Sequence, residues 1–541
     1  MSRKTVFVDK HPKLSTFDLS HEHKLTLNMG QLVPVYLQEV IPGDTFSVTS
    51  DMFMRLMPLA APMMHKVNCY VHFFFVPTRL VWDEWDKFLT GGPNGDAEPV
   101  YPYLTAASGI DTSIGSLSDY FGIPRQLNPN LHINALPFRA YNLIYNEWYR
   151  DEQLIELKVV NTGSGLDSGA TYDVYRRAWK KGYFESALPW TQRGDAAQVP
   201  LDGGVPVVST DGVPFTAEYA TQVHNMGTGY EAEETRRVMP TQSSASNVKI
   251  NVDGSNLDWR AVGATTIPNP YSETTWAGVQ NFTGLVAALG ESGLGIDIRD
   301  IRLASAVQKY LEKNARGGVR YIEWLRSHFG VRSSDARLQR PEYLGGGKSP
   351  IVIGEVLQNS ESGTTPQGWM AGQGISAQRS LGWTRSFEEF GYVLGILSVL
   401  PTATYEQGLH KMWTRFGRYE QIMPAFAGVG DQAVYNKELY AASDEPDGVF
   451  GYVPRFEECR RMPSSVHGDF RVKGGTLGYW HLGRAFDDTP VLSQEFIECN
   501  PSQRVFAVED SAYDKLLVDI YHNVKAIRPL PKNGIPGIRS L

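Results

Sequence analysis

The chain has 541 residues, 42% hydrophobic and 11% aromatic. That is ample for a large core, while a net charge of −8 excludes an overall basic nucleic-acid binder. With Gly 52 and Pro 32 the composition points to a turn-rich β protein and away from a helical bundle. Three cysteines far apart, Cys69, Cys459 and Cys499, exclude a disulfide framework and fit a reducing compartment.

The amino terminus, MSRKTVFVDKHPK, is charged with no apolar run behind it, so no secretory signal is expected. Leu32 to Val40 (LVPVYLQEV) reads as a strand, closed by the turn Pro42-Gly43-Asp44. Thr45 to Met57 alternates in places and is closed by Pro58 and Pro62. Next comes NCYVHFFFVPTRLVWDEWDKF (68–88), a strand-like run with three phenylalanines and almost no polar side. A strand with one wet face alternates, so this one is expected to be dry on both faces. Trp82, Trp85 and Phe88 behind it fit a cover helix within the chain or an anchor at a subunit contact equally well.

Pro137 to Arg150 spaces Phe138, Tyr141, Tyr145 and Trp148 as a helix, with Pro137 in its first turn. Two more helices are expected over Ile301–Asn314 and Val319–Phe329, the second ending at Gly330. Between them, from about 161 to 300, Gly, Ser, Thr, Asn and Pro dominate, with short strand-like pieces such as Val248–Val252. From Asp195 to Asp300 there are 13 acidic and 5 basic residues, a balance of −8 that equals the net charge of the whole chain. The window still carries Trp179, Trp190, Trp259 and Trp276, which argues for an ordered insertion. Strands return at Ile351–Leu357, Tyr392–Leu400 and Lys515–Ile527. The apolar run at 392–400 is far short of the roughly 20 residues a membrane-spanning helix needs.

Chemical motifs are weak. LGGGKS (344–349) lacks the first glycine of a phosphate loop and is followed by Pro350, so an ordinary Gly-rich turn is expected. GQGISA (372–377) has no convincing strand before it, so a loop is expected there too. His21-Glu22-His23 has no third ligand at a familiar spacing, and His72 reads as a hydrogen-bonded core histidine. The adjacent pairs Glu388-Glu389 and Asp487-Asp488 point to opposite faces if on strands. With no G-x-S-x-G either, no catalytic residue, cofactor or metal is expected. Basic residues gather at both ends: Arg3, Lys4, Lys10 and Lys13, then Lys525, Arg528, Lys532 and Arg539. They fit solvated tails or arms that touch a phosphate backbone.

Four stretches carry a resemblance: STFDLSHEHKLTLNMGQLVPVYLQEVIPGDTF (15–46), RLMPLAAPMMHKVNCYVHFFFVPTRLVWDEWDKF (55–88), LPFRAYNLIYNEWYRDE (136–152) and ARGGVRYIEWLRSHFGVRSSDARLQRPEYLGGGKSPIVIGEVLQ (315–358). YVPRFEECRRMPSSVHGDFR (452–471) adds to them. Together they resemble the major capsid proteins of the Microviridae, small single-stranded DNA bacteriophages, on the gokushovirus-like branch. The likeness covers roughly 1–160 and 300–541 and fades over about 161–300.

The resemblance implies an all-β fold, an eight-stranded antiparallel jelly roll with long insertions and a few short helices. Residues 1–160 would form its first part and 301–541 the remainder. Residues 161–300 would form a protrusion at the icosahedral three-fold axis, with its tip within 200–285. It further implies a T=1 shell of about 60 copies around a circular single-stranded DNA genome, closed by point-group symmetry. Implied partners are a small basic DNA-binding protein, a pilot protein and a host cell-surface receptor, with assembly in the host cytoplasm. Within the insertion, Tyr219, Tyr230, Trp259, Tyr271 and Trp276 are the host-contact candidates. A glycan-binding β-sandwich is the alternative, with a β-sandwich hydrolase behind it.

Overall fold

The computed structural model describes residues 14–197, 298–357, 370–472 and 475–532, apart from single positions at 109, 509 and 511, together with short backbone strands between 207 and 287. Two compact units divide the chain: Met1–Gly194 with Leu311–Leu541, and Asp195–Tyr310. The expected insertion window, 161–300, differs from the second unit at both ends.

Among the described residues, ten strands build the two main sheets of the first unit: β1 (Ser15–Asp18), β2 (His21–Leu27), β3 (Val33–Val40), β4 (Thr45–Leu56), β5 (Val67–Pro77), β6 (Glu342–Pro350), β7 (Val352–Leu357), β8 (Met370–Ser386), β9 (Gly391–Pro401) and β10 (Leu516–Arg528). In one sheet β1 and β2 both pair with β10, which continues to β4, β8 and β7. The other runs β6-β5-β9-β3. All of these pairings are antiparallel.

The first sheet has one dry face. Phe46, Val48, Met52, Met54 and Leu56 of β4 alternate with exposed positions, as do Leu516, Val518, Ile520, Val524 and Ala526 of β10. This period of two turns one side chain in and the next out. The buried set packs against Val33, Val35, Phe73, Phe75, Val393 and Leu397 of the second sheet to make the main core.

In the second sheet the central strands β5 and β9 are dry on both faces. Phe73 and Phe75 point into the main core, while Phe74 and Val76 point the other way, into a second apolar cluster with Leu394 and Ile396. That outer face is covered by the chain itself. Helix α1 (Leu136–Ile144), continued by a wide turn over Tyr145–Tyr149, contributes Phe138, Tyr141 and Tyr145, and Trp82 joins them. Arg139 of α1 is fully buried against Asp167, Nε to Oδ2 2.6 Å, and donates to the carbonyls of Val81 and Gly163. A buried pair satisfied on this many sides fixes the cover helix to the loops around it. Residues 161–188 are thus woven into this unit: Gln31 bridges to Arg176, and Leu188 to Tyr452.

Two expectations fail here. The glycine stretches at 344–349 and 372–377 are not turns or loops; they lie in β6 and β8. Glycine serves close approach there. A Cβ on Gly346 would lie 2.3 Å from the Val71 carbonyl oxygen, and one on Gly374 2.1 Å from Leu56 Cδ1.

A third cluster, with Tyr183, Phe184, Tyr405, Val434, Phe450 and Phe496, lies apart from the two sheet-based ones. Within the second unit, Val248–Val252 and Ser255–Trp259 pair as an antiparallel hairpin, and Leu285–Ala287 pairs with Val207–Ser209.

Candidate functional site

The histidines are built in rather than set up for chemistry. His72 Nδ1 lies 2.9 Å from the Tyr149 hydroxyl, and burial holds its pKa down to about 4, with Arg177 adding to the effect. His21 hydrogen-bonds through Nδ1 to the Leu19 carbonyl and lies 5.2 Å from the buried His522 ring. Among the described residues no group of three or more His, Cys, Asp or Glu could hold a metal ion.

The terminal basic residues divide. Lys525 and Lys532 are exposed, whereas Arg528 is used inside the fold. Its guanidinium pairs with the fully buried Asp44 at 2.8 Å, donates to the Glu39 carbonyl and lies over the Phe46 ring. Arg3, Lys4, Lys10, Lys13 and Arg539 lie outside the described residues.

Lys525 stands on the wet face of the first sheet. Register places Phe53 opposite Asp519, Arg55 opposite Leu517 and Tyr521 opposite Asp51, with Lys24 of β2 beside Asp519. Arg55 lies 5.5 Å from the centre of the exposed Phe53 ring. Aromatic faces among cations are what stacking on single-stranded nucleic acid uses, although the interleaved carboxylates keep the face close to neutral.

Trp82, Trp85 and Phe88 come together. Trp82 is fully buried, its indole N–H donating to Ser164 Oγ at 2.8 Å, and its ring lies 5.7 Å from Trp85 and 5.0 Å from Phe88. Tyr101 closes the group. Phe88 is 41% exposed, so the outer edge of this cluster is the part open to a neighbour. Of the host-contact candidates, Trp259 ends the hairpin of the second unit, while Tyr219, Tyr230, Tyr271 and Trp276 lie outside the described residues.

One surface was missed from the sequence. Leu409–Gly430 crosses the unit in short 3-10 turns, at Lys411–Thr414, Arg418–Glu420 and Pro424–Phe426. It holds Trp413, Phe416, Tyr419 and Ile422 out to solvent, 63%, 89%, 69% and 51% exposed. Apolar residues every third position, with Gly and Pro among them, were the available signal. Its base is pinned: Lys411 pairs with the buried Glu438 at 3.2 Å, and Arg415 pairs with the buried Glu458. Tyr183 donates to Glu438 and Gln432 to Glu458. Arg455 donates to the Tyr419 carbonyl at 3.0 Å. Large apolar side chains exposed this close together along the chain are a candidate interaction surface.

Among the described residues the geometry is one of sheets, cover helices and apolar arms, which suits a building block. The family profile described as capsid protein (F protein) matches residues 7–538. The chain belongs to this capsid protein family of the Microviridae. It is similar to capsid protein VP1 of Bdellovibrio phage phiMH2K, 38% identical over 538 residues, which cover 97% of this chain and 96% of the relative. It is similar as well to VP1 of Chlamydia phage 1, 36% identical with 97% and 96% covered. VP1 of Spiroplasma virus 4 is 29% identical, with 99% and 97% covered. Membership makes this capsid protein a structural component of the virion, repeated in its shell, and not an enzyme. The glycan-binding and hydrolase alternatives are set aside. Among the described residues no helix is long and apolar enough to cross a membrane.

Proposed function

We propose that this capsid protein forms a T=1 icosahedral shell of about 60 copies around a circular single-stranded DNA genome, closed by point-group symmetry. The observation that carries the reading is the strand order. β2-β10-β4-β8 faces β3-β9-β5-β6 across the main core as two four-stranded antiparallel sheets, with β1 and β7 as extensions, an order that supports the jelly-roll reading. Match over nearly the full length of the VP1 relatives supports it.

In this reading Lys525 and Lys532, with Arg3, Lys4, Lys10, Lys13 and Arg539, neutralise phosphates. Arg528 is left out of that set because Asp44 already holds it. The acidic insertion would face outward to a host cell-surface receptor, with Tyr219, Tyr230, Trp259, Tyr271 and Trp276 as contacts. A small basic DNA-binding protein and a pilot protein would complete the virion. The test is nuclease treatment of gradient-purified particles. Co-sedimenting circular single-stranded DNA that resists digestion is expected, and assembled particles whose nucleic acid is fully digested, or double-stranded, would contradict the reading.

A further inference from the structure

The exposed arm described above lies beside a socket. A cavity of about 260 Å³ opens next to it; Tyr183, Phe184, Tyr405, Met412, Trp413 and Met462 give it apolar wall, and Lys411, Glu438, Glu458 and Arg471 line it as well. An apolar cavity of about 150 Å³ is enough to take up benzene, so by volume this one has room for a phenyl ring against its aromatic wall. Phe416, the most exposed large apolar side chain among the described residues, is three residues from Trp413, a span of at most about 11 Å. Knob and socket therefore lie close together on the surface.

We propose that this face is a reciprocal contact between two copies of the capsid protein, each inserting Phe416 into the other's cavity across a two-fold axis. The inference rests on the shell reading, since it takes a second copy as the occupant. Adjacency of knob and socket is what favours a two-fold arrangement. In an isologous contact residue i meets j and j meets i, so both partners of the contact must lie on a single patch. The arm is also held ready. The ion pairs of Lys411 with Glu438 and Arg415 with Glu458 are nearly buried and fix the backbone on either side of Trp413. An aromatic anchor held out from a stiff base loses little freedom on docking, which is the character of an interface hot spot. Trp413 and Tyr419 flank it and would shield the inserted ring from water.

Two experiments on full-length protein test this. In a Cys459→Ser background, Phe416→Cys and Ser464→Cys place one thiol on the knob and one on the wall of the socket. Oxidised particles should release covalent dimers and no larger species in a denaturing gel. Monomers only, a ladder of larger multimers, or linkage to another virion protein would overturn the proposal. Separately, Phe416→Asp should leave the thermal midpoint of the subunit unchanged and lower the yield of shells by about tenfold or more. Shells at the wild-type yield would overturn it. Wild-type shells in the same preparation keep a failure of this contact distinct from a failure of the shell reading.

Discussion

Arg528 looks functional in the sequence and is absorbed by the fold, as is the histidine His522. Arg528 sits in a basic tail, yet it compensates the buried Asp44. Removing one partner of a buried pair strands the other charge, so Arg528→Ala should cost roughly 3–5 kcal/mol in denaturant unfolding of the subunit. Lys532→Ala should stay within about 0.5 kcal/mol, because that side chain is exposed. Equal effects of the two substitutions would refute this assignment. His522 is fully buried, hydrogen-bonded through Nδ1 to Ser50 Oγ at 2.7 Å and through Nε2 to the Val35 carbonyl at 2.9 Å. Nε2 must donate to the carbonyl, so in the neutral ring Nδ1 accepts from the serine hydroxyl. Burial takes its pKa down to about 4 from the ordinary 6.5. Between these values the unfolded chain binds a proton that the native one refuses. Stability therefore falls as the pH drops from about 6.5 to 4, by at most ~3 kcal/mol from this group. Ring-labelled histidine NMR should find His522 still neutral at pH 5; titration near 6.5 would contradict the packing.

Elements were legible where a physical period or an unbroken apolar run carried them. β4 and β10 alternate, β9 is a continuous apolar run, α1 begins with a proline in its first turn, and the helix Tyr321–Phe329 ends at Gly330 in the left-handed region. The glycine strands β6 and β8 were not legible, because tight packing and turn formation both select glycine and only the partner strand tells them apart. Pairing itself was out of reach: β10 joins β4 across more than 450 residues of chain, and no local pattern encodes that. The exposed arm was missed because its aromatics recur every third position without a helix's caps or period. The dryness of the FFF strand, by contrast, was readable, and its cause is the cover around α1. Phe74→Ala should therefore cost about 3–5 kcal/mol, as a cavity on the outer face of the second sheet. Phe88→Ala, at the open edge of the Trp82 cluster, should cost under about 1 kcal/mol. A reversed order in chemical denaturation would mean that the outer face of the sheet is not closed by its own chain.

On the scale of the whole molecule, a ten-strand framework in which the chain covers its own second sheet leaves outward features for other work. These are the wet face of the first sheet, the edge at Phe88 and the arm around Phe416. A subunit that keeps its core to itself can fold first and assemble later, and its contacts can then be tuned by surface residues alone. The central claim is closure of identical copies into one small shell. Light scattering with negative-stain microscopy on purified native particles tests it most directly. The result expected from the proposed shell is a protein mass near 3.6 MDa, about 60 copies of a 60.3 kDa chain, in round closed particles with knobs at the three-fold axes. A stable monomer or small oligomer, found even in material from virus-producing cells, would contradict it.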